Sequence, residues 1–223
     1  ITPIQATPPP TVAQVMGARV GRPSVSSPST TSTTVPEGPP AAMQADTPSE
    51  IIAALEQLPV EEEHGDYRRS KFGFYKDVDE DSCNTREEVI VAEALQINMN
   101  TNTCNIFSGK WFSPFDGRST ENHRDMRAEH VVSLEEAYDS GAWKWQPTER
   151  NAYLNDLTHA ETLVAVSEAS SIARNGEDPG GWLPTNDKYL CDYLRTYVYI
   201  KTIYKMSVDA GERESIAAAA LYC

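Results

Sequence analysis

Apolar residues after residue 46 recur mostly at helical spacing, and this pattern predicts a chain built largely of α-helices. Ile51, Leu55 and Leu58 follow one another at intervals of three and four residues in TPSEIIAALEQLP. Such a stripe predicts one buried helix face, and Pro59 supplies the stop because proline cannot continue a helix. The folded part of the chain is therefore expected to begin near Thr47.

Short apolar stretches predict a few strands within this helical chain. CNIFSGKWFSP is predicted to form a β-hairpin with Ser108-Gly109 as its turn. MRAEHVV and TLVAV, which begin at Met126 and Thr162, are expected to be two further strands. Helices are predicted in TREEVIVAEAL, SLEEAYDSGA, PTERNAYLNDL, SEASSIARNG, the long segment NDKYLCDYLRTYVYIKTIYKM and the final VDAGERESIAAAALYC. Strands confined to the middle of a helical chain are typical of the α+β class.

The first 46 residues have a different composition from the rest. They hold nine of the 15 prolines and a dense serine and threonine run from Ser24 to Thr34. A segment with so few large apolar side chains cannot offset the entropy lost on ordering, so it is predicted to be disordered. In a secreted protein it would be a stalk open to O-linked glycans, with a folded pro-segment as the alternative. We thus divide the chain into a disordered segment, 1–46, and a domain, 47–223.

The chain is strongly acidic, and its net negative charge lies entirely in residues 47–223. The formal net charge is −14, and the four charged residues of segment 1–46 cancel one another. Proteins that bind nucleic acid without sequence preference do so mainly through Lys and Arg that neutralise phosphates. An acidic surface therefore counts against any function that rests on general affinity for polyanions.

The four cysteines bear on the compartment of the protein. Cys83, Cys104, Cys191 and Cys223 form no C-x-x-C pair, so a four-thiolate zinc site is not expected. An even number favours two disulfides in a secreted protein, and the alternative is four buried thiols in a cytosolic one. No apolar run approaches the roughly 20 residues that span a bilayer. We expect a secreted, extracellular protein with no membrane partner.

One carboxylate–histidine step is the strongest candidate for chemistry. Glu129 and His130 precede an apolar pair in MRAEHVVSL. In many proteins such a step is an ordinary charged position at the end of a strand. The alternative is a metal nuclease, in which the carboxylate binds a divalent ion and the histidine takes a proton from the attacking water. Neighbours on a regular strand point to opposite faces, so this second interpretation requires the backbone to bend there.

Five motifs, in order along the chain, carry a resemblance to a known family. They are YRRSKFGFYKDVDEDSCNTREEV, CNIFSGKWFSPFDG, AEHVVSLEEAYDSGAWKW, RNAYLNDLTHAETLVAVSEASSIARNGEDPGGWLP, and YLCDY followed by YIKTIYKMSV. Over residues 49–204 the chain resembles the secreted HNH-type endonuclease domains, which are ββα-metal (His-Me finger) nucleases related to the C-terminal domain of GmrSD restriction enzymes. The resemblance implies a ββα-metal core embedded in a mostly helical domain.

The same resemblance implies roles for individual residues. Glu129 would be a metal ligand and His130 the general base, with Mg²⁺ as the expected ion and Mn²⁺ or Zn²⁺ as alternatives. The family's second ligand, an asparagine, falls at Ser171, whose hydroxyl is a shorter and weaker ligand. Asn175, about a helical turn further on, could replace it, and Arg174 keeps positive charge where the family has a lysine that could hold a phosphate. All of these except Asn175 are expected to face one cleft.

Two disulfides also follow from the resemblance. Cys83 and Cys104 stand in the family's two paired-cysteine motifs, which implies a bridge between them. Cys191 and Cys223 remain, and we expect them to form the second bridge.

Three hypotheses for function result. The first is an active, monomeric, secreted endonuclease that hydrolyses phosphodiester bonds of DNA or RNA with one divalent metal ion. The second is a nuclease-derived effector or toxin-like protein that has lost turnover and binds an unknown protein partner. The third is a structural secreted module in which the stalk matters most. Retained Glu129, His130 and Arg174 favour the first, whereas Ser171 and the acidic charge favour the second.

Overall fold

Residues 47–223 are described by a computed structural model, and the prediction of disorder for residues 1–46 falls outside them. The described residues form a mixed helix-and-strand protein in which every named strand pairs antiparallel with its neighbour. This matches the α+β expectation. Among the described helices, none is both long and apolar enough to cross a membrane.

Seven α-helices account for most of the regular structure in the described residues. They are α1 (Pro48–Leu55), α2 (Thr85–Ala92), α3 (Leu134–Asp139), α4 (Pro147–Leu154), α5 (Glu168–Arg174), α6 (Asp187–Ile203) and α7 (Ala210–Ala220). Their starts follow from local chemistry, because the side chains of Asn84, Ser133 and Ser167 accept hydrogen bonds from the first free backbone N–H groups of α2, α3 and α5. Short 3₁₀ helices cover Arg69–Phe72, His123–Asp125 and Ala142–Lys144.

Within residues 47–223, five strands form two separate sheets. They are β1 (Gln96–Asn100), β2 (Asn105–Ser113), β3 (Arg118–Thr120), β4 (Met126–His130) and β5 (Leu163–Ser167). The first three make one sheet in the order β1-β2-β3, and β4 pairs with β5 alone. Since α5 begins directly after β5, the chain has an antiparallel strand pair followed by a helix, with α3 and α4 inserted between the strands.

The predicted turn at Ser108-Gly109 is wrong. Both residues lie inside the continuous strand β2, and the hairpin turn falls instead between β1 and β2. Gly109 is needed for a different reason: a Cβ there would come within 2.2 Å of the Trp111 ring and 2.7 Å of the Gln96 carbonyl oxygen. Residues two apart on a strand share a face, so the glycine leaves room for the tryptophan.

The second predicted helix ends earlier than its apolar pattern indicated. The predicted helix TREEVIVAEAL extends to Leu95, but α2 stops at Ala92 and Leu95 is 43% exposed. The Leu95 N–H donates instead to the Lys110 carbonyl at 2.7 Å. Pairing with β2 therefore begins where the helix would have continued.

The core of the described residues has two parts. On one side, α1 packs against α6 and α7, and Tyr193, Tyr197 and Ile200 of α6 are completely buried. On the other side, Trp111 of β2 lies in a cluster with residues of α2, β4 and β5. Its indole N–H donates to the Ile90 carbonyl at 2.7 Å, so the buried ring has its polar atom satisfied.

Both expected disulfides are present, and the two described bridges use all four cysteines. Cys83 joins Cys104 with a Cα–Cα distance of 5.1 Å, which ties the segment before α2 to the turn between β1 and β2. Cys191 of α6 joins Cys223 after α7 with a Cα–Cα distance of 5.4 Å. The alternative of four free thiols is thereby excluded.

Candidate functional site

The strand β4 carries the candidate pair, and its side chains alternate regularly. Met126, Ala128 and His130 are buried, whereas Arg127 and Glu129 are partly exposed. The whole strand keeps its register with β5, with Glu129 opposite Val164 and His130 opposite Leu163. Glu129 and His130 therefore leave β4 on opposite faces. The expectation that both side chains face one cleft is corrected by this regular pairing, which leaves the backbone no bend at this step.

The Glu129 carboxylate contacts α5, the helix that follows β5. The hydroxyl of Ser171, in α5, donates to Oε1 of Glu129 at 2.5 Å. A carboxylate and a hydroxyl thus lie between the first strand and the helix that follows the second strand. These are the two positions at which the resemblance implies metal ligands.

The donor set at this point is small. It comprises one carboxylate and one hydroxyl, and Mg²⁺ is often held by only one or two carboxylates while it keeps several waters. Glu129 and Ser171 fit an ion of that kind. Asn175 contributes less than expected, because it is exposed, adopts the left-handed conformation (φ 50°) and stands one turn beyond Ser171 as the C-cap of α5.

Other carboxylate clusters in the described residues do not include Glu129. One consists of Asp77, Asp79 and Asp81 in the loop before α2. Another brings together Asp178, Asp209 and Glu212 near the start of α7. Glu129 belongs to none of the groups of three or more potential ligands found among residues 47–223.

His130 is held in the protein interior. The residue is 3% exposed, and its Nε2 lies 3.3 Å from the carbonyl oxygen of Tyr153 in α4. Removal from solvent is the main reason that the pKa of His130 falls to about 3. The hydrogen bond to the Tyr153 carbonyl opposes this shift, and the positive charge of Arg69 adds to it. The imidazole is therefore neutral at pH 7. A proton on Nε2 suits the contact with Tyr153 and leaves the lone pair on Nδ1.

Arg174 is a structural residue in this fold. Its side chain is completely buried, and its guanidinium donates to the carbonyls of His130 at 2.6 Å, Val131 at 2.7 Å and Glu177 at 3.1 Å. The expectation that Arg174 could hold a phosphate is corrected, since the donors are already used inside the core and water cannot reach them. Through these hydrogen bonds Arg174 links the end of β4 to the end of α5.

Three side chains near Glu129 and His130 had no role assigned from sequence. Arg69 is exposed, whereas Tyr67 and Tyr75 are partly buried. Burial raises the pKa of Tyr67 to about 12, with the charge of Glu129 adding to that rise. Burial and the charge of Glu129 likewise raise the pKa of Tyr75, while the charge of Arg69 lowers both. The available signal was a basic pair between aromatic residues in YRRSKFGFY.

Helix α4 fixes the segment from Tyr67 to Lys76 relative to His130. Asn151 donates to the Phe72 carbonyl at 2.9 Å, and Asn155 accepts from the Lys76 N–H at 2.8 Å. The same helix supplies the Tyr153 carbonyl to His130. One helix thus positions both the histidine and the loop that carries Arg69 and Tyr75.

Comparison with known proteins gives one informative relative. No family model matches the chain, and no solved structure matches it. It is 32% identical over 178 residues to a protein of Arthroderma benhamiae described as an uncharacterized secreted protein, and the match covers 80% of this chain and 85% of the relative. Together with the two disulfides, this relative identifies the protein as secreted. The chain therefore belongs to the family of that secreted protein of Arthroderma benhamiae.

Proposed function

We propose that the protein is a secreted, metal-dependent nuclease that hydrolyses phosphodiester bonds of nucleic acid. The observation that carries this proposal is the contact of 2.5 Å between Glu129 on β4 and Ser171 on α5. It lies in an antiparallel strand pair followed directly by a helix, which is the element order of a ββα-metal nuclease. The five ordered motifs support the same proposal.

The proposal assigns each residue a task that its surroundings support. Ser171 fixes the orientation of the Glu129 carboxylate, which would hold the ion together with water. His130 would accept a proton from the attacking water, and this role requires a change at the end of β4 that brings its ring to the face of Glu129. Burial keeps the imidazole neutral but also makes it a weak proton acceptor, since an efficient general base has a pKa near the working pH. A divalent ion would supply stabilisation of negative charge on the reacting phosphate.

A second candidate function is binding without turnover, and a specific observation favours it. His130 is 3% exposed, so water must reach Nδ1 through a movement of its surroundings. The net charge of −14 also weakens general attraction to nucleic acid. Under this alternative the protein would be a nuclease-derived secreted protein whose partner is another protein.

A cleavage assay with purified protein separates the two candidates. Plasmid DNA and a structured RNA are incubated with Mg²⁺, Mn²⁺ or Zn²⁺, and with EDTA. We expect metal-dependent cleavage that falls by roughly 10² to 10⁴-fold in His130→Ala, as is typical when a general base is removed. The control is His64→Ala, since His64 is exposed and stacks on Trp143. Equal activity of wild type and His130→Ala with every metal would overturn the nuclease proposal.

A further inference from the structure

His130 must leave its present position before it can act beside Glu129. The residue is 3% exposed, and the regular register of β4 with β5 sets the two side chains on opposite faces of the strand. Whatever holds the His130 ring in the interior therefore controls its access to the proposed site.

Tyr153, in α4, is the residue that contacts His130 directly. It is completely buried, its ring centre lies 5.0 Å from that of His130, and its carbonyl oxygen lies 3.3 Å from the imidazole Nε2. Its hydroxyl donates to the carbonyl of Val132, two residues beyond His130, at 2.6 Å. Tyr153 thus fixes both the imidazole and the backbone that follows it. The position of His130 depends in turn on what holds Tyr153.

The ring of Tyr153 is held by Tyr204, which directly follows α6. The two rings meet edge to face, with centres 4.8 Å apart and planes at 85°. The Tyr204 hydroxyl donates to Oδ2 of Asp156 at 2.5 Å. This hydrogen bond keeps the Tyr204 ring in place, because it anchors the far end of the side chain. Asp156 therefore acts on Tyr153, and through Tyr153 on His130.

Asp156 also reaches the end of β4 by a second route. Its Oδ2 accepts a hydrogen bond from the hydroxyl of Thr162, a completely buried residue, at 2.9 Å. The Thr162 carbonyl accepts from the backbone N–H of Val131, the residue directly after His130, at 3.0 Å. One carboxylate, in the segment between α4 and β5, thus supports His130 from the side of its ring and from the side of its backbone.

The carboxylate of Asp156 is buried and has many donors around it. The residue is 8% exposed, and it also accepts from Nδ1 of His159 at 2.9 Å and from the backbone N–H of Thr158 at 2.9 Å. Burial alone would raise its pKa, but the side-chain donors, led by the Tyr204 hydroxyl, outweigh burial and hold the pKa of Asp156 below its usual value. A charged acceptor forms stronger hydrogen bonds than a neutral one, so this network is firmly held.

We propose that Asp156 is a positioning residue of the nuclease site, which holds His130 in the interior until release of its hydrogen bonds lets the imidazole reach the face of Glu129. This inference rests on the proposed function. The interior arrangement is the majority state, and cleavage proceeds from a minor state in which the end of β4 has moved. The observed rate is reduced by the fraction of molecules that occupy the minor state. The hydrogen bonds of Asp156 thus set the activity of the protein.

The test compares Asp156→Asn and Tyr204→Phe with the matched control Asp192→Asn. Asparagine keeps the shape of Asp156 and removes its charge, while phenylalanine keeps the Tyr204 ring and removes only the hydroxyl. Asp192 is a partly exposed carboxylate on α6 that pairs with Arg195 at 2.8 Å. Each variant is first shown to be folded by its melting curve. It is then treated with diethyl pyrocarbonate, which modifies neutral imidazoles, and the modification of His130 is followed by peptide mapping.

We expect His130 to react roughly 10-fold faster in Asp156→Asn than in wild type, as for the loss of one charged hydrogen bond. Tyr204→Phe should give a smaller rise, since the other donors still hold the carboxylate. Asp192→Asn should react as wild type does, because its ion pair lies on the surface of α6. An equal rate of His130 modification in all three variants would overturn the inference.

Cleavage gives a readout that a merely structural role of Asp156 would not move in the same direction. In the cleavage assay with Mg²⁺, kcat of Asp156→Asn should rise by about the same factor while KM stays unchanged, because a larger fraction of the molecules is competent. Removal of a residue that only stabilises the fold would lower kcat or leave it unchanged. A kcat that falls in both Asp156→Asn and Tyr204→Phe would therefore overturn the inference.

The outcomes also separate this inference from the proposed function. Faster modification of His130 in Asp156→Asn, in a protein that cleaves neither DNA nor RNA with any metal, overturns the nuclease and keeps the hold of Asp156 on His130. Cleavage by wild type, with His130 equally reactive in all variants, overturns the role of Asp156 and keeps the nuclease.

Discussion

The hydroxyl of Ser171 donates a hydrogen bond of 2.5 Å to Oε1 of Glu129. This contact links the first strand of the β4–β5 pair to the helix that follows the second. It places a hydroxyl where the resembled family has an asparagine amide. The strength of any metal site here thus depends on what residue 171 offers beside the carboxylate.

We expect Ser171→Asn to raise metal-dependent cleavage, because the amide oxygen is a better ligand and reaches further. Ser171→Ala should weaken Mg²⁺ binding roughly 10-fold, in the range seen when a residue that orients a ligand is lost. Isothermal titration with Mg²⁺ and the cleavage assay measure the two effects. Ser119→Ala, on exposed β3, serves as the control. A Ser171→Ala protein that binds Mg²⁺ as tightly as wild type would rule out a ligand role.

Arg174→Met should destabilise the protein strongly. The substitution leaves the carbonyls of His130, Val131 and Glu177 without their donor, and each buried unsatisfied acceptor costs about 1 to 3 kcal/mol. We expect a loss of about 3 kcal/mol or more in the free energy of unfolding, measured with urea. Arg69→Gln should change the same quantity by no more than about 0.5 kcal/mol, since Arg69 is exposed. Similar losses in the two variants would contradict this division between a buried structural arginine and an exposed one.

Thermal stability should fall as the pH rises from about 6.5 to about 8. The ammonium of Lys201, completely buried in α6, lies 2.5 Å from Glu136 Oε1 and 2.7 Å from Glu212 Oε1. Two carboxylates share one cation, and burial raises the pKa of Glu136 to about 8 and also raises that of Glu212. A raised folded pKa contributes stability that is complete below the unfolded value and is lost as the pH passes the folded one.

The control for this pH dependence is Glu136→Gln, which keeps the neutral form at every pH. Its melting temperature should change less than that of wild type over the same range. The lowered pKa of His130 has the opposite sign, and its contribution is lost only as the pH falls toward about 3, so it does not change over this range. Parallel curves for wild type and Glu136→Gln would show that this buried group does not titrate there.

Removal of either disulfide should lower stability by about 3 to 4 kcal/mol, from loop-closure entropy at separations of 21 and 32 residues. The double variants Cys83→Ser/Cys104→Ser and Cys191→Ser/Cys223→Ser are compared with wild type by urea unfolding. We expect the bridge that spans 32 residues to contribute slightly more. A variant as stable as wild type would mean that the native fold gains nothing from that bridge.

Local chemistry in the sequence was enough to locate most elements. The helix from Thr47 and the long helix α6 follow from apolar residues at helical spacing, and the starts of α3 and α5 follow from Ser133 and Ser167 as caps. Such signals depend on residues within a few positions of one another. The two disulfides came from the family resemblance, and the structure confirms them.

Other features depended on contacts between distant parts of the chain. Gly109 has the chemistry of a turn residue, and only its place under the Trp111 ring reveals that β2 runs straight through it. Arg174 and Arg69 both lie within the motifs that carry the family resemblance, and only the structure distinguishes their surroundings. One is buried because three backbone carbonyls at the ends of β4 and α5 need its donors, and the other is exposed at the start of a 3₁₀ helix.

The sequence by itself predicted a mixed helix-and-strand protein, and its family resemblance implied two disulfides and a cleft shared by Glu129 and Ser171. Only the tertiary structure decided that His130 leaves β4 on the face opposite Glu129 and lies against Tyr153. The reason is physical. Local propensity acts over a few residues, whereas the burial, charge state and partners of a side chain depend on what α4 and the end of β4 bring together in space.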